Sequence, residues 1–269
     1  MARDIPDFLS RILEYKRAEL EQTIVRRDEL EMLAAETRPK RRDFRAALTG
    51  RSPAVIAEIK RASPSKGIIA ADTLDPAAVA QAYENGGAAA ISVLTDEQFF
   101  RGSLDDLSIA RGAVRIPVLR KDFTIDEYHV AEAAANCADA VLLITAILSP
   151  TRLRQLREYA QKLGLTALVE VHDETELESA LDSGAQVIGV NNRNLRTFEV
   201  TLETSLRMAA RIPAGIVRVS ESGIRSPEDI RRLGEAGYHA FLVGEHLMRS
   251  RDPQHALRAL LAPEHHPAR

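Results

Sequence analysis

The 269-residue chain contains a single cysteine, Cys137. An intrachain disulfide framework and a cysteine-rich metal site are therefore excluded, and a reducing compartment is expected. With no His or Cys motif around it, Cys137 reads as a small apolar packing residue. Long apolar runs are also missing. The longest, "AVLLITAIL" at 140–148, is about half the ~20 residues that a membrane helix needs. The opening segment "MARDIPDFLSRILEYKRAEL" is charged throughout and lacks the apolar stretch and cleavage site of a secretory signal. No charge of one sign dominates: the net charge is -3, which gives no general pull toward nucleic acid or an anionic membrane. A G-x-G-x-x-G turn after the first strand is absent too, which argues against a dinucleotide-binding sheet. A soluble cytoplasmic protein with ample chain for a core is the expectation.

What is present is a rhythm. "AVIAEIK" (54–60), "AAISVLT" (89–95), "PVLRKDF" (117–123), "AVLLIT" (140–145), "TALVEV" (166–171), "VIGVNN" (187–192), "IVRVSES" (216–222) and "AFLVGE" (240–245) read as strands, with starts roughly 20 to 35 residues apart. Amphipathic segments lie between them, at 75–87, 151–164, 174–184 and 226–237. Several start with Ser, Asp or Thr and stop at Gly, as helices do. Near-continuous apolar strands alternating with helices indicate a parallel sheet buried on both faces. Eight such units predict a closed (β/α)8 TIM barrel rather than an open doubly wound sheet. Residues 1–48 carry no strand pattern. Phe8, Leu9, Ile12 and Leu13 recur at helical spacing, and 26–38 and 42–50 read as shorter helices. The chain is thus expected to be one domain: a helical N-terminal extension (1–48), the barrel (49–262) and a tail (263–269). His265 and His266 in that tail lack the third ligand a metal site needs.

In such a barrel, functional groups sit at the C-terminal ends of the strands. The anomalous polar residues fall there. Strand one ends in Glu58 and Lys60, two apart and so on one face. Strand three holds Lys121 within "LRKDF", where three consecutive charged residues leave open which of Arg120, Lys121 and Asp122 points inward. Strand five carries Glu170, strand six Asn191 with Arg193 just beyond, and strand seven Glu221 and Ser222. Burying an ion pair rarely stabilises a fold more than apolar packing does, so such a gathering points to chemistry. His172 reads as a loop residue, and Asp96, Glu97, Arg101, Asp105 and Asp106 read as an ordinary polar loop. "SESGI" (220–224) and "LVGEH" (242–246) place glycines directly after strands seven and eight, where backbone N–H groups of this fold commonly hold phosphate. A small phosphorylated substrate is expected.

"IAEIKRASPSKG", "VLTDEQFFRGSLDDL", "PVLRKDFTIDEY", "ALVEVHDETEL", "IGVNNRNL", "VSESGI" and "FLVGEHLM", in order from 54 to 248, resemble the indole-3-glycerol phosphate synthase family in its monofunctional form. The resemblance implies ring closure, decarboxylation and dehydration of 1-(2-carboxyphenylamino)-1-deoxyribulose 5-phosphate in tryptophan biosynthesis. No metal or organic cofactor, nucleic acid or membrane partner is expected, and the protein is expected to act as a monomer or weak dimer. By the same resemblance Lys121 is the ring-closure acid. Lys60 contacts the substrate carboxylate and serves as acid in dehydration, and Glu170 is the base of that step. Glu58 and Glu221 hold the cations, and Asn191 belongs with this catalytic set. Arg193, Ser63 and Ser222 contact substrate, while Gly223, Gly244 and Glu245 (through its backbone) hold the phosphate. Another phosphosugar barrel enzyme, such as a phosphoribosylanthranilate isomerase, would favour a Cys–Asp or Asp–Asp pair, whereas lysines and glutamates dominate here. A barrel that only binds a phosphorylated ligand would not need so many ionisable groups.

Overall fold

A computed structural model describes residues 6–23, 27–64, 67–69 and 74–262. The expected tail, with His265 and His266, lies outside the described residues, as do Ser65 and Lys66. Eight parallel strands close into a barrel: β1 (Ala54–Ile59), β2 (Ala90–Leu94), β3 (Val118–Lys121), β4 (Ala140–Ile144), β5 (Thr166–Val171), β6 (Val187–Asn191), β7 (Val217–Glu221) and β8 (Ala240–Val243). Closure is made by β1, which pairs with β2 on one side and β8 on the other. Each strand falls inside its predicted segment, and no strand occurs among the described residues of 1–48.

Alternation along the strands divides the core into two shells. Val55, Ala57, Ile91, Val93, Val118, Val141, Val169, Ile188 and Phe241 face outward under the surrounding helices. Ile56, Leu119, Leu142, Leu168, Val219 and Leu242 face inward and fill the barrel. Each fully buried aliphatic side chain contributes roughly 1.5–3 kcal/mol, so the two shells supply most of the stabilisation. The helices start where local chemistry tells them to. Asp75 caps Pro76–Gly86 by accepting from Ala77 and Ala78 backbone N–H groups, and Gly87 ends it in the left-handed region. Ser226 and Asp229 form a capping box on Pro227–Glu235.

The N-terminal segment packs around the barrel in three places. Helix α1 (Asp7–Thr23) lies over the C-terminal mouth, where Leu9 and Ile12 join the inner shell. Helix α2 (Arg27–Thr37) packs on the flank, with Leu30 against Tyr128 and Ala131. Helix α3 (Phe44–Thr49) closes the opposite end. Its Phe44 and Leu48 are fully buried among inward residues such as Ala54 and Ala240. Asp43 caps α3 by accepting from the Ala46 N–H at 2.8 Å.

The polar segment after β2 is not the simple loop the sequence suggests. Asp96 is buried and caps a short helix, Glu97–Phe100, at the Phe99 N–H. Its other oxygen lies 3.3 Å from Lys16 Nζ of α1. Asp106, also buried, accepts two hydrogen bonds from Arg61 at 2.8 and 3.0 Å. These acids anchor cations from distant parts of the chain, which no local window could reveal. Among the described residues no helix is long and apolar enough to cross a membrane.

Candidate active site

Register decides what the charge run in "LRKDF" leaves open. Lys121 shares the inward phase of Leu119, whereas Arg120 points outward under the helix Glu127–Ala135. There Arg120 pairs with Asp122 at 3.0 Å and Glu132 at 2.7 Å, and donates to the His129 carbonyl at 2.9 Å. Asp122 in turn meets Lys16 of α1 at 3.0 Å. Lys121 is thus flanked by a buried structural network and projects alone into the barrel.

The inward phase of five strands brings Glu58, Lys60, Lys121, Glu170, Asn191 and Glu221 into one cavity of about 590 Å³. Lys121 Nζ donates to Glu170 Oε2 at 2.9 Å and stands 3.4 Å from Glu221 Oε2. Lys60 Nζ lies 2.7 Å from Glu58 Oε1. Asn191 Nδ2 donates to Glu170 Oε1 at 3.2 Å, and its own Oδ1 accepts from the Arg193 N–H at 3.0 Å. The Arg193 guanidinium donates to the Phe198 carbonyl at 3.2 Å, which holds it at the cavity edge.

Burial alone would neutralise these groups, and their mutual fields decide which do not. Burial works against the Lys121 ammonium, but Glu170, Glu221 and Glu58 outweigh it and hold its pKa above the ordinary range. Burial likewise raises Glu170, yet Lys121 and then His172 hold it well below the usual carboxylate range. Glu221 goes the other way. Burial and the negative charge of Glu170 overcome Lys121 and push it up to about 8. Two carboxylates thus share one ammonium, with Glu170 the ionised member.

Two glycines make this crowding possible. A Cβ on Gly189 would sit 2.0 Å from Glu221 Oε1, so β6 must be bare where β7 delivers its carboxylate. A Cβ on Gly244 would meet Glu58 Oε1 at 2.2 Å and Lys60 Nζ at 3.0 Å. Gly244 thus makes room for the first ion pair, a reason for glycine beyond the one its position after β8 suggested.

The remaining predicted residues line the same cavity. Ser63 lies beyond β1 on a two-residue strand, Ala62–Ser63, that pairs antiparallel with Gly67–Ile68. Ser222 and Gly223 follow β7 with φ of 67° and 84°, a turn fastened by Asn192, whose Nδ2 donates to the Ser222 carbonyl at 3.0 Å. Gly244 and Glu245 follow β8 at the start of the short helix Glu245–Met248. Arg249, 3.2 Å from Glu245, and Arg225 add two cations at this end. An apolar wall of Phe8, Leu9, Phe100, Phe123, Leu142 and Leu195 completes the chamber. Neither this wall nor the two arginines stands out in the sequence. The only signal was the helical spacing of Phe8 and Leu9, which does not say what that face covers.

His172 lies in the loop between β5 and the helix Glu174–Asp182, as expected, but its ring is held there by two carboxylates. Its Nε2 lies 3.2 Å from Glu170 Oε1 and its Nδ1 3.0 Å from Glu176 Oε2. Among the described residues no group of three or more His, Cys, Asp or Glu side chains is placed to hold a metal ion.

A closed parallel barrel that gathers lysines and glutamates at its mouth, facing glycine turns after β7 and β8, belongs to the class of barrel enzymes doing acid–base chemistry on small ligands. The family model for indole-3-glycerol phosphate synthase matches residues 9–260. An indole-3-glycerol phosphate synthase 1 of Streptomyces coelicolor is 52% identical over 262 residues, 97% of this chain and 97% of that protein. An indole-3-glycerol phosphate synthase of Polaromonas naphthalenivorans is 49% identical, covering 94% of this chain and 98% of the relative. The chain belongs to the indole-3-glycerol phosphate synthase family. Among solved structures, the fold is similar to a thiamine phosphate pyrophosphorylase from Pyrococcus furiosus, with a TM-score of 0.60 at 19% identity over 81% of this chain and 96% of that one. The tryptophan synthase complex of Pyrococcus furiosus matches with a TM-score of 0.59 at 16% identity over 78% of this chain and 98% of that one. Both likenesses concern the fold alone.

Proposed function

We propose that this chain is an indole-3-glycerol phosphate synthase that converts 1-(2-carboxyphenylamino)-1-deoxyribulose 5-phosphate to indole-3-glycerol phosphate, CO2 and water, with Lys121, Lys60 and Glu170 moving the protons. The observation that carries the reading is the convergence of the family's lysines and glutamates on one apolar-walled cavity. Its volume, about 590 Å³, is in the range that small-molecule sites occupy.

The ring carbon bearing the carboxylate attacks the ribulose ketone, and the ketone oxygen becomes an alkoxide unless it receives a proton. Lys121, kept charged by three glutamates, supplies it. An alkoxide is basic enough to take a proton even from an ammonium so stabilised. CO2 then leaves and its bonding pair restores the aromatic ring. In the second stage the new hydroxyl leaves as water with a proton from Lys60, while Glu170 removes the proton that lets the indole double bond form. Loss of the Lys121 proton removes the chief charge facing Glu170, so the first stage raises the basicity needed in the second. Glu58 holds Lys60 in place, and Glu221 faces the positive charge that develops on the ring nitrogen. Arg193 offers a planar fork to the anthranilate carboxylate, and Asn191 steadies Glu170. Ser63 and Ser222 contact substrate, and the backbone at Gly223, Gly244 and Glu245 receives the phosphate.

Supplying the carboxyphenylamino substrate and following indole fluorescence tests the reading. The chain has no tryptophan, so the product signal rises over a tyrosine background alone. Absence of product at saturating substrate would end it. The protein is further read as a cytoplasmic monomer or weak dimer, which sedimentation and cell fractionation would check.

A further inference from the structure

His172 is bracketed by two carboxylates. Glu170 approaches Nε2 from the reaction chamber, and Glu176, on the helix Glu174–Asp182, approaches Nδ1 from outside it. Glu176 Oε2 also accepts the His172 backbone N–H at 2.8 Å, so one carboxylate fixes both the backbone and the ring. The imidazole is largely buried, and it lines a second cavity of about 660 Å³ that shares Asn191, Arg193 and Leu195 with the chamber. Burial disfavours the imidazolium, but Glu170 and Glu176 outweigh it and push the ring up to about 10. Among the described residues, the charged groups recorded as facing Glu170 are Lys121 from β3, Glu221 from β7 and His172 at the end of its own strand. Those nearest His172 are Glu170 and Glu176, while Asp173, Arg193, Arg196, Glu199 and Arg207 line the same second cavity.

We propose that His172 is a positioning residue, an imidazolium clamped by Glu176 whose charge, 3.2 Å from Glu170 Oε1, keeps Glu170 ionised during the interval when Lys121 has given up its proton. The proposal rests on the assignment of Lys121 as acid and Glu170 as base. Lys121 is the only other cation within ion-pair distance of Glu170 among the described residues. Once that charge is spent, burial and the nearby Glu221 would draw a proton onto Glu170 before its turn as base. A second cation, outside the path of the reaction and held by its own carboxylate, prevents this. Metal-bound and catalytic side chains are commonly oriented by such outer partners.

The pH dependence of kcat separates the possibilities. His172→Gln keeps a hydrogen-bond donor and removes the charge. It should lower kcat about tenfold and move the acid limb of the profile up by about one pH unit, with KM within about twofold. Glu176→Gln should shift the limb in the same direction by less, and His172→Lys should recover part of kcat. A merely structural role would change the melting temperature or KM and leave the limb in place, and an unmoved limb in His172→Gln would overturn the proposal. Glu170→Gln serves as the control on the underlying reading: if it retains full turnover, the base assignment itself is wrong whatever His172 does. The unaltered protein gives a second readout. With labelled histidine, the His172 ring resonance, identified by its loss in His172→Gln, should still report the charged form at about pH 8. A neutral ring at pH 7 would sink the idea without recourse to any variant's folding.

Discussion

At the floor of the barrel, Phe44 and Leu48 of α3 sit fully buried among inward residues such as Ala54, Ala90, Ala140 and Ala240. At the mouth, the same inward phase carries Glu58, Lys121, Glu170, Asn191 and Glu221, and α1 covers them with Leu9 and Phe8. Both ends use one set of strands and one cap from the N-terminal segment. Small inward alanines leave room below for an apolar plug, and the area it buries stabilises the fold. Above, long polar side chains occupy that room, and each buried charge costs stability unless it is paired. The mouth does not pair everything: among the described residues Glu221 Oε1 has no hydrogen-bond partner, and its carboxyl is pushed up to about 8. One end is built for stability, and the other holds buried ionisable groups whose displaced pKa values a reaction can use.

The comparison breaks most sharply at Lys121. Lys121→Met should cut turnover by roughly 10²–10⁴-fold and leave the fold intact, measured by the fluorescence assay alongside circular dichroism. Surviving turnover would remove Lys121 from the acid's role. Phe44→Ala should do the reverse. Removal of a fully buried ring from the floor should cost about 3–5 kcal/mol in denaturant unfolding, while the folded fraction keeps its KM. Equal losses of activity per folded molecule in both variants would show that the two ends are not separable.

Gly189→Ala probes where the ends meet, since its methyl would collide with Glu221 Oε1. A stability loss of roughly 1–3 kcal/mol, with a larger fall in kcat than in kcat-independent binding, is expected. Unchanged kinetics would show that Glu221 can leave its place without consequence.

The smallest effect concerns pH. The folded pKa of His172, about 10, lies above its ordinary value of 6.5, so its contribution is fully present below about pH 6.5 and is lost as pH rises through 10. Glu221, raised from 4.5 to about 8, adds loss of the same sign at lower pH. Unfolding free energy should therefore decline between pH 6.5 and 10, and His172→Gln should flatten that decline. Phe44→Ala should leave the slope as it is, because Phe44 packs in the apolar cluster at the floor, away from His172 and Glu221. An identical slope in all three proteins would place the titrating groups elsewhere.

Much of the chamber was legible in advance because strand periodicity and strand ends are local. Glu58 and Lys60 interrupt an apolar run, and so does Glu170. Each is detectable from its immediate neighbours, and knowing the barrel's polarity assigns them to one mouth. Lys121 shows the boundary of that logic. Three charged residues in succession erase the alternation, so the pattern leaves the inward residue open; the resemblance points to Lys121, and pairing with β2 and β4 places it inside and Arg120 outside. His172 looked like any residue after a strand, because its significance lies in Glu176 reaching back from the next helix and Glu170 reaching across from the chamber.

The sequence by itself determined the eightfold alternation, the helix starts and stops, and the polar strand ends, since these depend on residues a few positions apart. Only the tertiary structure decided that α1 covers the mouth and α3 plugs the floor, that Lys16 reaches Asp122, and that Gly189 yields its space to Glu221. Those contacts join residues from different strands and helices, and they exist because burying both shells of apolar side chains forces the sheet to close.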